Sequence, residues 1–76
     1  MARPIYEIAL EIKSLWKKPY FGAVPYLDAM VHLDSINDYF FLDSAKEVVL
    51  YFLANASTFR GEDARRLKAE LKSLVQ

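Results

Sequence analysis

Apolar side chains recur at intervals of three and four residues in the first part of the chain, which is the period of one face of an α-helix. These positions are Ile5, Ile8, Ala9, Ile12, Leu15 and Trp16. Pro4 suits the first position of a helix, and Pro19 ends one, because proline fixes φ and lacks an amide N–H. The pattern predicts a helix over residues 4–18.

Two further segments show the same period. Residues 25–33 begin with a proline and carry the apolar positions Tyr26, Leu27, Met30 and Leu33. Residues 62–75 carry Ala64, Leu67, Leu71, Leu74 and Val75, with acidic residues at the start and Lys72 near the end, as the helix dipole favours. Both are predicted to be helices, and either Thr58 or Gly61 is the N-cap of the last one.

The middle of the chain allows two interpretations. Residues 39–42 and 48–53 are aromatic and β-branched, so they suit a hairpin. However, the link DSAKE lacks the glycine that tight hairpins favour, and an isolated strand pair is marginal. Ser44 is followed three residues later by Glu47, which is the pattern of a capping box. We therefore predict a helix over residues 45–55, apolar nearly all round and buried at the centre.

The sequence therefore predicts an all-α fold, with about four short helices in a single domain over residues 1–76. The alternative is an α+β fold in which residues 39–42 and 48–53 form a hairpin. The chain has 76 residues and no cysteine, so no disulfide framework adds stability. The apolar core must therefore hold the fold together.

Charge is balanced overall but unevenly distributed. Ten Lys and Arg match ten Asp and Glu, yet residues 20–43 hold four Asp and no Lys or Arg. A nucleic-acid-binding protein usually carries a positive excess, so nucleic acid is the less favoured partner. The N-terminal MARPIYEIALEIK contains acidic residues, unlike a signal or transit peptide, and no apolar run approaches the ~20 residues of a membrane span. We expect a cytoplasmic protein without membrane contact.

Residues for catalysis or cofactor binding are few. There is no cysteine, and His32 is the single histidine; Asp28 precedes it by four residues, a spacing typical of a helix-surface hydrogen bond. The acids from Asp34 to Asp43 do not fit a calcium loop and suit turns and caps better. Two glycines cannot build a phosphate-binding loop. We expect no enzyme activity, no catalytic residue, no cofactor, no metal and no small-molecule substrate.

Two helix surfaces are candidate interaction sites. Tyr6 and Leu10 fall outside the main apolar face of the first helix, beside Lys13 and Lys17, and such a surface suits a protein partner. The alternative is a wider buried face that contacts two neighbouring helices.

The second surface, called the basic strip, follows one flank of the last helix. It consists of Arg60, Arg65, Lys68 and Lys72. The strip could bind phosphates or an acidic protein. The favoured interpretation is instead that it has no external partner and either faces the acidic 20–43 segment or is solvated. A helix-turn-helix of the last two helices is disfavoured, because the connector over residues 56–61 exceeds the usual turn.

The connector WKKPYFGAVPY is unusually aromatic for a link between helices. Trp16 and Tyr26 belong to predicted apolar faces, and Gly22 gives the backbone freedom. Tyr20 and Phe21 are not explained by folding. A platform that stacks on a peptide or a base requires both to be exposed.

The stretches KKPYFGAVPYLDAM and YFLANASTFRGEDARRLKAELKSL resemble small proteins of uncharacterised function encoded by phages and prophages of Gram-positive bacteria. The resemblance covers most of residues 5–74 and implies a bacterial cytoplasmic setting and an accessory role, without catalytic residues to transfer. We expect a non-enzymatic protein-binding or regulatory module whose partner is another protein or a second copy of itself. A small DNA-binding domain that uses the basic last helix is the alternative.

Overall fold

The computed structural model describes residues 3–76 and has a Cα radius of gyration of 11.0 Å. Within that range the elements are α1 (Ile5–Leu15), α2 (Val24–Met30), β1 (Tyr39–Phe40), β2 (Asp43–Ser44), α3 (Ala45–Ala54) and α4 (Glu62–Val75). The two short strands pair antiparallel, and α3 packs between α2 and α4. The predicted all-α fold of four short helices is confirmed, with a pair of two-residue strands added.

Helix α1 ends three residues before the predicted boundary. Trp16 keeps an N–H bond to the carbonyl of Ile12 at 2.8 Å, but its ψ of 89° leaves the helix. This turn places the Trp16 ring in the core, and Lys18 is disfavoured in a helix because it precedes Pro19. The predicted extension to residue 18 is therefore wrong.

Helix α2 is also shorter than the predicted 25–33. It ends at Met30, and the next residues form tighter turns in which the amides of His32 and Leu33 donate to carbonyls three residues back, at 3.0 and 3.1 Å. Leu33 is still buried. The carbonyls of Leu33 and Asp34 accept from the first amides of α1, at 2.8 and 2.9 Å, which fixes the start of α1 against this segment.

Helix α3 forms as the capping box predicts. The Ser44 hydroxyl accepts from the Glu47 amide at 3.1 Å, and the Glu47 carboxylate accepts from the Ser44 amide at 3.2 Å. The alternative with a strand over residues 48–53 is wrong. A hairpin does exist, but it pairs Tyr39 with Ser44 and Phe40 with Asp43.

The core lies where the four helices meet. Its aromatic centre is Trp16, which stacks on Phe59 at a ring distance of 5.1 Å and meets the edge of Phe52 at 6.2 Å. The other large side chains that are fully buried are Ile5, Ile8, Ile12, Met30, Leu33, Val49, Leu67 and Leu71.

Two details of the predicted burial are wrong. Helix α3 is not enclosed, since Leu50 and Tyr51 are 44% and 47% exposed, and Leu15 of α1 is 42% exposed. A chain of this size has too few neighbouring elements to cover a helix on every side.

An ion-pair network that the sequence did not predict joins α1 to α4. The Arg3 guanidinium donates to both carboxylate oxygens of Glu70, at 2.7 and 2.8 Å, and lies 2.9 Å from Glu11. The other oxygen of Glu11 accepts from Arg66 at 2.6 Å, and Arg66 also contacts Asp63 at 3.1 Å. These hydrogen bonds lower the pKa of Glu11, chiefly through Arg66, and that of Glu70 through Arg3.

Candidate protein-binding surfaces

The most exposed large apolar side chains belong to the turn between β1 and β2. Phe41 and Leu42, called the hairpin tip, are 87% and 95% exposed. They are the two residues that connect the paired Phe40 and Asp43. Tyr39, at the start of the hairpin, is 70% exposed. A contiguous group of this kind is unusual on a soluble protein and is typical of an interaction site.

The backbone of the hairpin tip is strained. Phe41 has φ of 58°, and it is the single non-glycine residue with positive φ within residues 3–76. Positive φ at the first central position of a two-residue turn is normally supplied by glycine, and a side chain there costs about 1–2 kcal/mol. Because Phe41 is 87% exposed and touches only the edge of the neighbouring Phe40 ring, folding gains little that offsets this cost.

The base of the hairpin is well supported. The Phe40 ring stacks against His32 at 6.0 Å and meets the edge of Phe41 at 4.7 Å. The carbonyl of Asp38 accepts from the amide of Ala45 at 2.8 Å. The Asp38 carboxylate accepts from the amides of Asp34 and Ser35, both at 3.0 Å, and these bonds lower the pKa of Asp38. Its predicted role as a turn former is confirmed.

The predicted pairing of Asp28 with His32 does not form. Helix α2 ends before His32, whose ring lies against Phe40, and Asp28 accepts from Lys13 at 3.1 Å instead. Within residues 3–76, no cluster of three His, Asp or Glu side chains could hold a metal ion. In that same range, no helix has both the length and the apolar character needed to cross a membrane.

The connector aromatics lie near the far end of α3. Tyr20 and Phe21 are 44% and 80% exposed, with ring centres 4.8 Å apart, so both are accessible as a stacking platform requires. Gly22 fits this site because an added Cβ would lie 2.6 Å from the Tyr20 ring and 2.9 Å from the Asn55 side-chain oxygen.

Helices α2 and α3 run antiparallel, and aromatic side chains follow them from end to end. Gly22 lies beside Asn55 at one end, and His32 lies beside Phe40 at the other. Between these ends, Tyr26 of α2 contacts Tyr51 of α3 at a ring distance of 5.5 Å. The exposed aromatics of the connector and of the hairpin tip therefore lie at opposite ends of one helix pair.

The candidate face on α1 is partly engaged. Tyr6 and Leu10 are 40% and 55% exposed, so they are not covered by a second neighbouring helix. Lys13 forms the ion pair with Asp28, and Lys17 is exposed beyond the helix end.

The basic strip on α4 has no acidic partner among residues 3–76: none of Arg60, Arg65, Lys68 and Lys72 forms an ion pair there. The expectation that it faces the acidic segment is therefore wrong, because α4 packs on α3 and α1 instead. The other form of the favoured interpretation, a solvated strip, agrees with the exposure of Arg60, Arg65 and Lys72.

One residue of the strip is held against the core. The Lys68 ammonium lies 5.8 Å from the centre of the Phe59 ring. Partial burial lowers the pKa of Lys68, and the positive charges of Lys72 and Arg60 lower it further. The strip is thus a cluster of like charges that an external anion would stabilise.

A shallow cavity of about 300 Å³ lies where the start of α1 meets the end of α4. Its lining residues are Arg3, Pro4, Asp34, Ser35, Ile36 and Leu74. Arg3 is committed to Glu70 and Glu11, and Ser35 accepts from the amide of Asn37 at 3.1 Å. The Asp34 carboxylate is therefore the polar side chain left to meet a ligand in this cavity, and one carboxylate is not a set of converging polar groups.

Comparison with known proteins gives no relatives: no family model, curated protein or solved structure matches this chain. The candidate surfaces therefore rest on the geometry described above.

Sequence reasoning singled out the connector, the α1 face and the basic strip but missed the hairpin tip. A signal was present, because the run YFFL lies between the turn-forming segment DSIND and a helix N-cap. Because a turn precedes these four apolar residues and a helix start follows them, the segment is too short for all four side chains to reach the core.

Proposed function

We propose that this protein is a non-enzymatic protein-binding module that docks through its hairpin tip. The supporting observation is the combination of high exposure and backbone strain at Phe41, next to the almost fully exposed Leu42. Strain that the fold does not compensate is typical of functional positions.

The size and chemistry of the surface suit a protein partner. A phenylalanine or tyrosine side chain buries about 150–250 Å² when it is fully enclosed, and such residues dominate the energetics of interfaces. Tyr39, Phe41 and Leu42 together offer an anchor of that kind. The setting we propose, from the resemblance to phage and prophage proteins, is an accessory or regulatory role in a bacterial cytoplasm.

Affinity capture from a bacterial lysate tests this function. The bait is the wild-type chain, the F41S/L42S variant, or S57A as a control at an exposed residue outside the candidate surfaces. We expect the wild type and S57A to retain the same proteins and F41S/L42S to lose them. Circular dichroism of each bait establishes that it is folded. Equal capture by F41S/L42S and the wild type would contradict the proposal.

Nucleic-acid binding is the second candidate function, and the unpaired basic strip is the observation that favours it. The helix-turn-helix version gains no support, because the seven residues between Ala54 and Glu62 exceed a turn of about three to four residues. Binding would therefore be to the phosphate backbone, with little base recognition.

Titration of labelled duplex DNA at low and at moderate salt tests the second candidate. Phosphate contacts would make the affinity fall steeply with salt, by about 0.9 log units per log unit of salt for each contact. The variant R65E/K68E should lose binding, whereas K17E/K18E, which has the same net charge, should keep it. Absence of binding at low salt would exclude this function.

A further inference from the structure

Asp43 directly follows the hairpin tip in the sequence, and the segment that leads into the hairpin is also acidic. Residues 34–43 contain Asp34, Asp38 and Asp43 and no Lys or Arg. Within residues 3–76 none of the three forms an ion pair. The Asp38 carboxylate is held in its ionised form by two backbone amides. The surface that complements the tip is therefore apolar and bordered by cations.

The same chain presents a surface of that chemistry. The basic strip lies on the flank of α4 away from α1, because Arg66 and Glu70 on the opposite flank are engaged with α1. Helix α3 is the other neighbour of α4. The partly buried Val75 follows Lys72 by three residues and Lys68 by seven on α4, so helical spacing places an apolar side chain on the flank of the strip.

The two surfaces do not meet within one molecule. The hairpin tip is almost fully exposed, and the strip has no acidic partner among the described residues. Residues 34–43 carry three acidic side chains and the basic strip carries four cationic ones, so the two parts are opposite in sign and similar in amount. Contact between the acidic segment of one copy and the basic strip of another would neutralise charge on both surfaces.

We infer that the hairpin tip of one copy docks against the basic strip of a second copy of this chain. This inference rests on the proposed function, since it names the partner of the same tip. The interface is heterologous: the two copies contribute different surfaces. A two-fold dimer that joins tip to tip is disfavoured, because it would bring Asp38 and Asp43 of one copy close to those of the other.

A heterologous interface leaves one free tip and one free strip on every pair. Further copies therefore add head to tail, and the assembly grows with concentration unless it closes into a ring. Because opposite charges contribute, added salt weakens the association.

Complementation between two variants tests the inference by sedimentation velocity. F41S/L42S lacks the tip and keeps the strip, whereas K68E/K72E lacks the strip and keeps the tip. We expect each variant alone to be a monomer and an equimolar mixture to form a one-to-one dimer that does not grow further. The wild type should form larger species that dissociate as salt is raised.

Lys68 covers part of Phe59, so R65E/K72E serves as a second strip variant that leaves this contact intact. A wild-type chain that stays monomeric at its highest soluble concentration would overturn the inference. The inference would also fall if F41S/L42S self-associated like the wild type, or if neither mixture formed a dimer.

The outcomes for the two proposals are distinguishable. If the wild type is monomeric but captures lysate proteins in a tip-dependent way, the second copy is excluded as the partner and the proposed function stands. If F41S/L42S captures the same proteins as the wild type and also self-associates like it, the tip is not a docking site and the proposed function fails together with the inference.

Discussion

At the scale of single residues, Phe41 is the position at which the residue that favours folding differs from the residue that favours the proposed binding. Its positive φ favours glycine, and its ring contributes little to the buried surface. Folding alone would therefore select a smaller residue at this position. The partner contact proposed above would account for the aromatic ring.

The first prediction separates these two requirements. We expect F41G to raise the free energy of unfolding by about 0.5–1 kcal/mol, since relief of left-handed strain exceeds the entropy cost of glycine. The same variant should lose the tip-dependent association. Urea denaturation measures the first effect, and sedimentation the second.

Phe21 supplies the matched control, because it is 80% exposed and its φ is not positive. F21G should leave the free energy of unfolding unchanged or lower it slightly, because glycine makes the unfolded chain more flexible and there is no backbone strain at residue 21 to relieve. A loss of stability in F41G as large as that in F21G would show that the tip is unstrained.

A second prediction concerns the aromatic centre of the core. Phe52 is 0% exposed and meets the edge of Trp16. We expect F52A to lower the free energy of unfolding by about 3–5 kcal/mol, because a large cavity replaces the ring. F21A, at an exposed position, should change it by less than about 0.5 kcal/mol. A small effect of F52A would mean that the core collapses to fill the space.

At the scale of elements, the capping box decides the structure of the middle segment. Its β-branched and aromatic residues suit a strand, yet the two reciprocal bonds at Ser44 start a helix there. Ser44 also ends β2, so the same residue closes the hairpin and opens α3.

The third prediction tests that role. S44A should lower the free energy of unfolding by about 1 kcal/mol, because the Glu47 amide loses its partner while the backbone pairing of β2 is unaffected. S57A is the control, at an exposed serine outside the helices. Thermal unfolding followed by circular dichroism measures both, and equal midpoints would argue against a stabilising cap.

The sequence predicted the elements better than their ends and their exposure. Periodicity located α4 at 62–75, and the Ser44–Glu47 pattern located the start of α3. The early end of α1 at Leu15 depends on where the Trp16 ring packs, which is a tertiary contact without a local signal. The exposure of Tyr51 depends in the same way on how many elements surround α3.

Among the candidate sites, too, those that follow local sequence rules were predicted and the one that departs from them was not. Exposure of Tyr20 and Phe21 followed from the absence of a helical role for them, and the basic strip followed from helical spacing. The hairpin tip was missed because Phe41 and Leu42 violate the turn preferences on which such a prediction relies. A position whose residue type conflicts with its backbone conformation, as Phe41 does, is the kind that local rules miss.

At the scale of the whole molecule, α1 and α4 are held together by apolar packing and by the network from Arg3 to Arg66. The two carboxylates of this network, Glu11 and Glu70, have pKa values below the usual 4.5. A carboxylate whose pKa is lower in the folded state binds protons more weakly there than in the unfolded chain. Its stabilising contribution is therefore complete above about pH 4.5 and is lost as the pH falls through the folded-state pKa.

The fourth prediction follows from that sign. Urea denaturation from about pH 7 down to about pH 3 should show stability falling on the acid side, and E11Q/E70Q should show a shallower fall. Some dependence should persist in the double variant, because the pKa of Asp38 is also lowered by the amides of Ser35 and Asp34. D38N in the same background should remove most of that remainder.

Salt provides an independent check on the origin of this acid sensitivity. The network is partly exposed, with Arg3, Glu11 and Glu70 side chains at 31%, 29% and 27% exposure, so its ion pairs are screened by added salt. The hydrogen bonds from backbone amides to Asp38 depend less on ionic strength. High salt should therefore reduce the difference between the wild type and E11Q/E70Q while leaving the effect of D38N largely intact. An acid-side slope that is the same in the wild type and in E11Q/E70Q would show that apolar packing alone holds α1 on α4.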